Sequence, residues 1–261
     1  MSQHNPLLDK IKLPGRIFQL PSRGIFYENS ELGDDIRDGE IHVQAMSALD
    51  EITLKNPDQL FSGDAVQTIF RNCISGINTP VELLSKDIDA IMLFLRTVTY
   101  GPSYEIIAKH NCENAKEHSY VADIDKMIAD MKMIDPTVIN DLYTAELSNG
   151  QVVKLQPTVY KNTIEFIKNN SNKKEISIDD QKKNLILILM SVIKSVDGIT
   201  DKALIQEWAE KLTSPQVNTL IKKIENINNW GTDNSWECIC KDCGEKFRVE
   251  IPTNPVVFFT E

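Results

Sequence analysis

Polar and apolar positions along this chain follow two rhythms. Alternation with a period of two marks short strands. Glu40-Ile-His-Val-Gln44 is the clearest run, because every second side chain of a strand shares a face. Tyr143-Thr-Ala-Glu-Leu147 and Gln151-Val-Val-Lys-Leu155 flank Ser148-Asn-Gly150, and two such runs around Asn-Gly predict a β-hairpin. Four further strand-like segments come in two pairs, Tyr104–Ala108 with Ser119–Ile124 and Trp236–Ile239 with Lys246–Ile251.

A period near 3.6 marks the helices. Gly63-Asp64 precedes the run Ala65 to Ile74, with Asp64 as its expected cap. Thr79-Pro80 opens a short helix. In Asp87–Val98, Ile88, Ile91, Met92, Leu95 and Val98 share one face. Another helix starts between Pro157 and Asn169. A long one is expected from Asp179-Asp180 to Val196-Asp-Gly198; its Leu185–Met190 centre is apolar on nearly every face and predicts the buried axis of a helical region. Leu204, Ile205, Trp208 and Leu212 stripe the next helix. Val217, Leu220, Ile221, Ile224 and Ile227 stripe the one capped by Ser214-Pro215.

The fold class that follows is α+β, predominantly helical. An extended arm or hairpin is expected over 1–45 and a helical segment over 46–103. A β-hairpin plus helical insertion follows over 125–235. Residues 104–124 and 236–261 are expected to join as a small split antiparallel sheet.

Composition narrows the function. The 261 residues are 41% apolar and 25% charged, ordinary for a globular chain with a normal core. The net charge of −10, from 38 acidic and 28 basic residues, disfavours a phosphate-binding groove and an anionic membrane surface. The polar start Met1-Ser-Gln-His-Asn-Pro6 reads as lacking a signal peptide, and the longest apolar run falls well short of the ~20 residues a membrane span needs. Neither nucleic acid, small-molecule substrate nor membrane insertion is expected. A reducing cytosol suits the odd cysteine number.

Three of the five cysteines crowd into Cys238-Ile-Cys240-Lys-Asp-Cys243-Gly244, and an echo far upstream reads His110-Asn-Cys112-Glu-Asn-Ala115. Each lies between two of the strand-like segments. Superposed, Cys112 falls on Cys240, His110 on Cys238 and Ala115 on Cys243. That is the pattern of a zinc ribbon, whose two knuckles supply four ligands to a tetrahedral ion, here split by a long insertion. Cys240-x2-Cys243-Gly244 is a complete knuckle. The first is incomplete at Ala115. The expected ligands of a structural zinc are Cys112, His118, Cys240 and Cys243, with Cys238 or His110 as alternates. Cys73 lies on a helical stripe and reads as core.

Catalytic patterns are missing: no phosphate-binding glycine loop, no His-Glu-x-x-His, no nucleophile elbow. Asp123, Asp125 and Asp130 read as solvated charges beside a helix start. No enzymatic activity is expected.

The order of several segments resembles the baseplate hub and hub-assembly proteins of T-even-like contractile-tailed bacteriophages. These are Leu20-Pro-Ser-Arg-Gly-Ile-Phe-Tyr27, Asp50–Asn56, Ser62-Gly63, Leu95-Arg-Thr-Val-Thr-Tyr-Gly101, Leu147–Gly150, Gln156–Tyr160, Cys240–Gly244 and Phe258-Phe259. The resemblance implies a non-enzymatic protein that builds the central hub of the tail baseplate. Its partners would be other hub proteins, and its location the host cytoplasm during assembly or the virion tail. Ala115 departs from the Cys-x2-Cys spacing of the family's first arm. Arg23 and Arg96 are expected to pair with acidic neighbours, Arg23 being also a candidate partner contact. Phe258 and Phe259 are expected to be docked or to await a partner.

Overall fold

A computed structural model describes residues 14–27, 31–33, 36, 38–56, 59, 63–113, 115–170, 177–252 and 258–259, with the side chain of Leu142 set aside. Residues 1–13 of the expected arm, Ser62 and residues 253–257 before the two phenylalanines lie outside the described residues.

The alternation at 40–44 makes a strand whose partner is upstream. β1 (Gly15–Gln19) pairs antiparallel with β2 (Glu40–Gln44), from Gly15↔Gln44 to Gln19↔Glu40. Phe18, Ile41 and Val43 turn inward and are buried. Ser47 then caps α1 (Ala48–Leu54) in a capping box with Asp50. The same Asp50 carboxylate accepts from Asn72 at 2.8 Å, tying α1 to α2 (Asp64–Cys73). The N-cap of α2 is Gly63 and not Asp64. Its φ of 83° suits glycine, and a Cβ there would lie 2.5 Å from the Ile164 side chain.

α3 (Ser85–Tyr100) follows a short 3-10 turn at Pro80–Glu82. Its expected stripe of Ile88, Ile91, Met92, Leu95 and Val98 is buried, and so are Ala90, Leu93, Phe94, Arg96 and Thr97. A helix covered on all sides is an axis. The axis role expected of the helix at 179–196 belongs to α3 instead. α7 (Ile178–Val192) buries only Leu189 and Val192 fully; Leu185, Ile186, Ile188 and Met190 are partly buried against one side. Together with the helices at Lys202–Ala209 and Ser214–Ile227 it borders an open cleft of about 1000 Å³.

The helix also stops sooner than its apolar run suggests. Ile193–Val196 leaves it as strand β7 and adds to the hairpin of β5 (Thr144–Glu146) and β6 (Val152–Leu155), giving the order β5-β6-β7. Val153↔Val196 and Leu155↔Ile193 pair buried apolar residues across the strands. Sheet pairing and burial override the local helical period. Asp197, at φ 47°, and Gly198, at φ 83°, turn the chain out of the strand.

The remaining elements are β3 (Ser103–Lys109), β4 (Glu117–Asp123), α4 (Ile124–Ala129), α5 (Ile139–Leu142), α6 (Tyr160–Asn170), α8 (Lys202–Ala209), α9 (Ser214–Ile227), β8 (Ser235–Ile239) and β9 (Lys246–Glu250). Side chains gather into two apolar cores. The first centres on α3 and takes in β1–β4, α2 and, from the other end of the chain, Ile251, Phe258 and Phe259. The second holds Ile134 to Leu155 with the inner faces of α7, α8 and α9 and Trp230. Here Ile205, Leu220, Ile224 and Ile227 are buried as the helical stripes expect, whereas Leu204 is 56% exposed.

Candidate metal centre and core seam

Two antiparallel hairpins, β3–β4 and β8–β9, are separate two-stranded sheets. The register Lys109↔Glu117 closes the first around residues 110–116; Ile239↔Lys246 closes the second around 240–245. The second loop is a tight knuckle. Cys240 N–H donates to Glu245 O, Gly244 N–H donates to Cys240 O, both at 2.9 Å, and Gly244 sits at φ 78°. In the first loop Ala115 N–H donates to Cys112 O at 3.2 Å.

The two loops meet. Cys112 Sγ lies 3.9 Å from Cys240 Sγ, and Cys243 Sγ lies 3.3 Å from His110 Nδ1. The four ligand atoms of His110, Cys112, Cys240 and Cys243 all fall within 4.8 Å of one another. A tetrahedral site with ~2.3 Å metal–sulfur bonds sets its sulfurs roughly 3.8 Å apart, whereas a disulfide needs ~2.05 Å. Three soft sulfurs and an imidazole form a donor set suited to zinc and unsuited to calcium or magnesium, so the residues present fit such an ion. Four protein ligands leave no open position for a reacting water.

Burial opposes ionisation of Cys240. The backbone N–H groups of Cys243 and Asp242 and the thiols of Cys243 and Cys112 outweigh it, bringing the thiol down to about 7. Burial and the neighbouring sulfurs of Cys243 and Cys240 push Cys112 up to about 12. The sulfurs thus favour one ionised thiol over several, a crowding of negative charge that a bound cation would relieve.

The sequence-expected ligands divide. Cys112, Cys240 and Cys243 come together. His118, expected as the fourth, is turned to Asp242, its Nε2 2.9 Å from Asp242 Oδ2, which also accepts from Lys116 N–H at 2.9 Å. His110, an alternate, takes the place beside Cys243 and rests on the Phe247 ring, 4.8 Å between centroids. The reason is the end of β3: His110 lies just past the last paired residue, Lys109, and faces the opposing knuckle. Cys238, the other alternate, is buried on β8 opposite Phe247, outside the cluster, with its thiol raised by burial. Cys73 is core as expected, its thiol pushed up to about 12 by burial and by the Asp50 charge.

A second constellation joins the two cores, and its acidic member carries no sequence signal. Asp87, in the first turn of α3, is fully buried. One carboxylate oxygen accepts the Ser22 backbone N–H at 3.0 Å. The other accepts the Tyr27 hydroxyl at 2.6 Å, and the Tyr27 oxygen accepts Leu84 N–H at 2.7 Å. The Leu20–Tyr27 segment is therefore folded onto the start of α3. Tyr27 packs against both cores, and Phe26 meets Tyr143 edge-on at 5.2 Å. Burial raises Asp87 to about 6 against the opposing pull of the Ser22 and Tyr27 hydrogen bonds.

The other singled-out residues fall as follows. Arg23 is exposed, at φ 55°. Asp135 is held below the usual carboxylate range by its bonds to Thr137 and, to a smaller degree, by Arg23. Among the described residues Arg96 does not make the carboxylate pair expected of it: it is 5% exposed, its guanidinium 4.3 Å from the Tyr100 ring centre and 5.3 Å from that of Tyr104. Among the described residues its Nε and one Nη have no hydrogen-bond partner, so stacking on aromatic faces is what holds the cation. Phe258 and Phe259 are docked, buried in the first core, and Tyr100 Oη donates to Phe259 O at 3.3 Å. They face the chain's own interior, whereas a contact awaiting a partner would be exposed. Asp123 caps α4 by accepting from Lys126 N–H, and Asp125 pairs with Arg16 and accepts from Thr97. Both carboxylates are thus occupied in structural bonds, and Asp130 is the C-cap of α4.

Two apolar cores pinned at a buried seam, and two hairpins from distant parts of the chain meeting at one cluster, define an α+β protein whose polar machinery holds the body together. The chain belongs to the family of T4 bacteriophage base plate proteins, whose model matches residues 37–260, and its place is therefore among the structural proteins of a phage tail baseplate. No curated protein and no solved structure matches it. Among the described residues, no helix is long and apolar enough to cross a membrane.

Proposed function

We propose that this chain acts in building the central hub of the baseplate through contacts with other hub proteins, without a catalytic step. The family match over residues 37–260 carries the proposal. The sites support it, since Asp123 and Asp125, the acids that could have served catalysis, are consumed in capping and ion pairing. Arg23 is the proposed partner contact. It borders a shallow cleft with Ile25, Pro136 and Ile139, and Ile25 is 41% exposed. Work would be done in the host cytoplasm, with retention in the finished tail as the open branch. A structural zinc ion in the ribbon-like pair of hairpins belongs to the same proposal. A zinc-ribbon-like cysteine pattern also suits an adaptor protein in nucleic-acid metabolism, and the net charge of −10 speaks against that alternative.

The test is a phage lacking this gene. Tails without a complete hub, rescued by the intact chain, are the expected result; normal hubs and infectious particles would overturn it. Copy number in purified virions then separates a hub component, present at near-integral stoichiometry, from an assembly factor that leaves.

A further inference from the structure

Resting on the structural zinc proposed above, we infer that one ion is held by His110 through Nδ1 and by the thiolates of Cys112, Cys240 and Cys243, with His118 outside the coordination sphere. The observations that carry this are geometric. His110 presents Nδ1, and not Nε2, toward Cys243 at 3.3 Å. The Cys112 and Cys240 sulfurs approach to 3.9 Å as free thiols, without a disulfide. No one of the four residues is adjacent to another in sequence, and the pair Cys112–Cys240 spans 128 residues.

His118 already has a use. Its bond to Asp242, with the Lys116 N–H on the same oxygen, stitches the first loop onto the second knuckle. Lys241 adds a further stitch by donating to Ser119 O at 2.7 Å. These contacts need no metal. They hold the loops in register so that four donors from two hairpins converge, as outer contacts around metal ligands do. Ala115 then costs the site nothing, because a histidine from the strand end replaces the cysteine of a complete first knuckle.

The ion would close a loop containing the second core from Ile134 to Trp230, all of its buried members but Leu84. Its entry therefore couples the folding of the chain's middle to that of its end. It would also fix the β8–β9 hairpin, and behind it Ile251, Phe258 and Phe259, against the first core.

The test uses the full chain, with zinc and cobalt(II) as probes. Metal analysis of the purified protein should find one zinc per chain. Cobalt exchanged into it should give the visible bands of a tetrahedral site with thiolate charge transfer. His110→Ala removes a direct ligand, so it should weaken zinc binding by more than the ~10-fold that losing an outer contact costs, and should shift the cobalt bands. His110→Cys should restore tight binding with a spectrum of four sulfurs, and His118→Ala should leave the spectrum unchanged. A wild-type chain with neither zinc nor a tetrahedral cobalt spectrum would overturn the zinc proposal as a whole. A spectrum that changes in His118→Ala and not in His110→Ala would overturn the ligand set alone. Neither result bears on the hub role, which the gene deletion decides.

Discussion

The two loops that meet at the cysteine cluster are built on different principles. The 240–245 loop is self-sufficient: Cys240 and Cys243 sit three apart, backbone N–H groups point at the Cys240 sulfur, and Gly244 turns the chain. The 110–116 loop supplies Cys112 from its turn and His110 from the end of a strand. Aligning the two by spacing matches His110 with Cys238 and Ala115 with Cys243. In space, His110 and Cys243 are neighbours and Cys238 is elsewhere. A metal site constrains the positions of four atoms and is indifferent to the intervals that bring them there.

That difference can be broken at several points. The largest effect is expected from Cys240→Ser with Cys243→Ser, which removes the self-sufficient half. Zinc should be lost and the melting temperature should fall by about 15 °C or more, since metal binding and folding are one equilibrium. Calorimetry with and without chelator checks it: a chelator should destabilise the wild type and leave the double variant unmoved. Next comes the anchor behind that half. Phe258 is fully buried, so Phe258→Ala should cost about 3–5 kcal/mol in urea unfolding while zinc stoichiometry stays at one.

The seam provides a tie made without metal. Tyr27→Phe removes a hydroxyl bonded to both Asp87 and Leu84 and should cost about 1–3 kcal/mol. Asp87 titrates higher in the folded chain, at about 6, than its ordinary 3.8, so folding takes up a proton between those values. Its contribution is therefore most favourable below about pH 4 and declines as pH rises to about 6. Asp87→Asn should flatten that part of the stability-against-pH curve; an unchanged slope would show that Asp87 is not its source. Smallest of all, His118→Ala breaks a pair whose side chains are 25% and 26% exposed and should move the melting temperature by about 2 °C at most.

The sequence was legible where the cause of structure is local. The Asn-Gly hairpin, the α3 stripe, the 240–244 knuckle and the Glu40–Gln44 strand all declare themselves within a few residues. It was illegible where a distant partner decides. Ile193–Val196 continues an apolar helical run, and only the waiting edge of β6 makes it a strand. Asp87 reads as an ordinary acid in a helix's first turn; its burial depends on Ser22 and Tyr27 arriving from upstream. Arg96 reads as a partner for a carboxylate, yet Tyr100 one turn on and Tyr104 on β3 offer ring faces instead. His110 lies two residues before Cys112 and His118 six after it, and spacing does not show that the strand end aims His110 at Cys243 while His118 turns to Asp242.

The central claim is that a cysteine from the middle of the chain and two from its end bind one ion together. X-ray absorption at the zinc edge tests it most directly, on the wild-type chain and on Cys112→Ser. The account predicts three sulfurs at about 2.3 Å and one nitrogen at about 2.0 Å in the wild type, falling to two sulfurs in the variant. A sulfur count that Cys112→Ser leaves unchanged would contradict it.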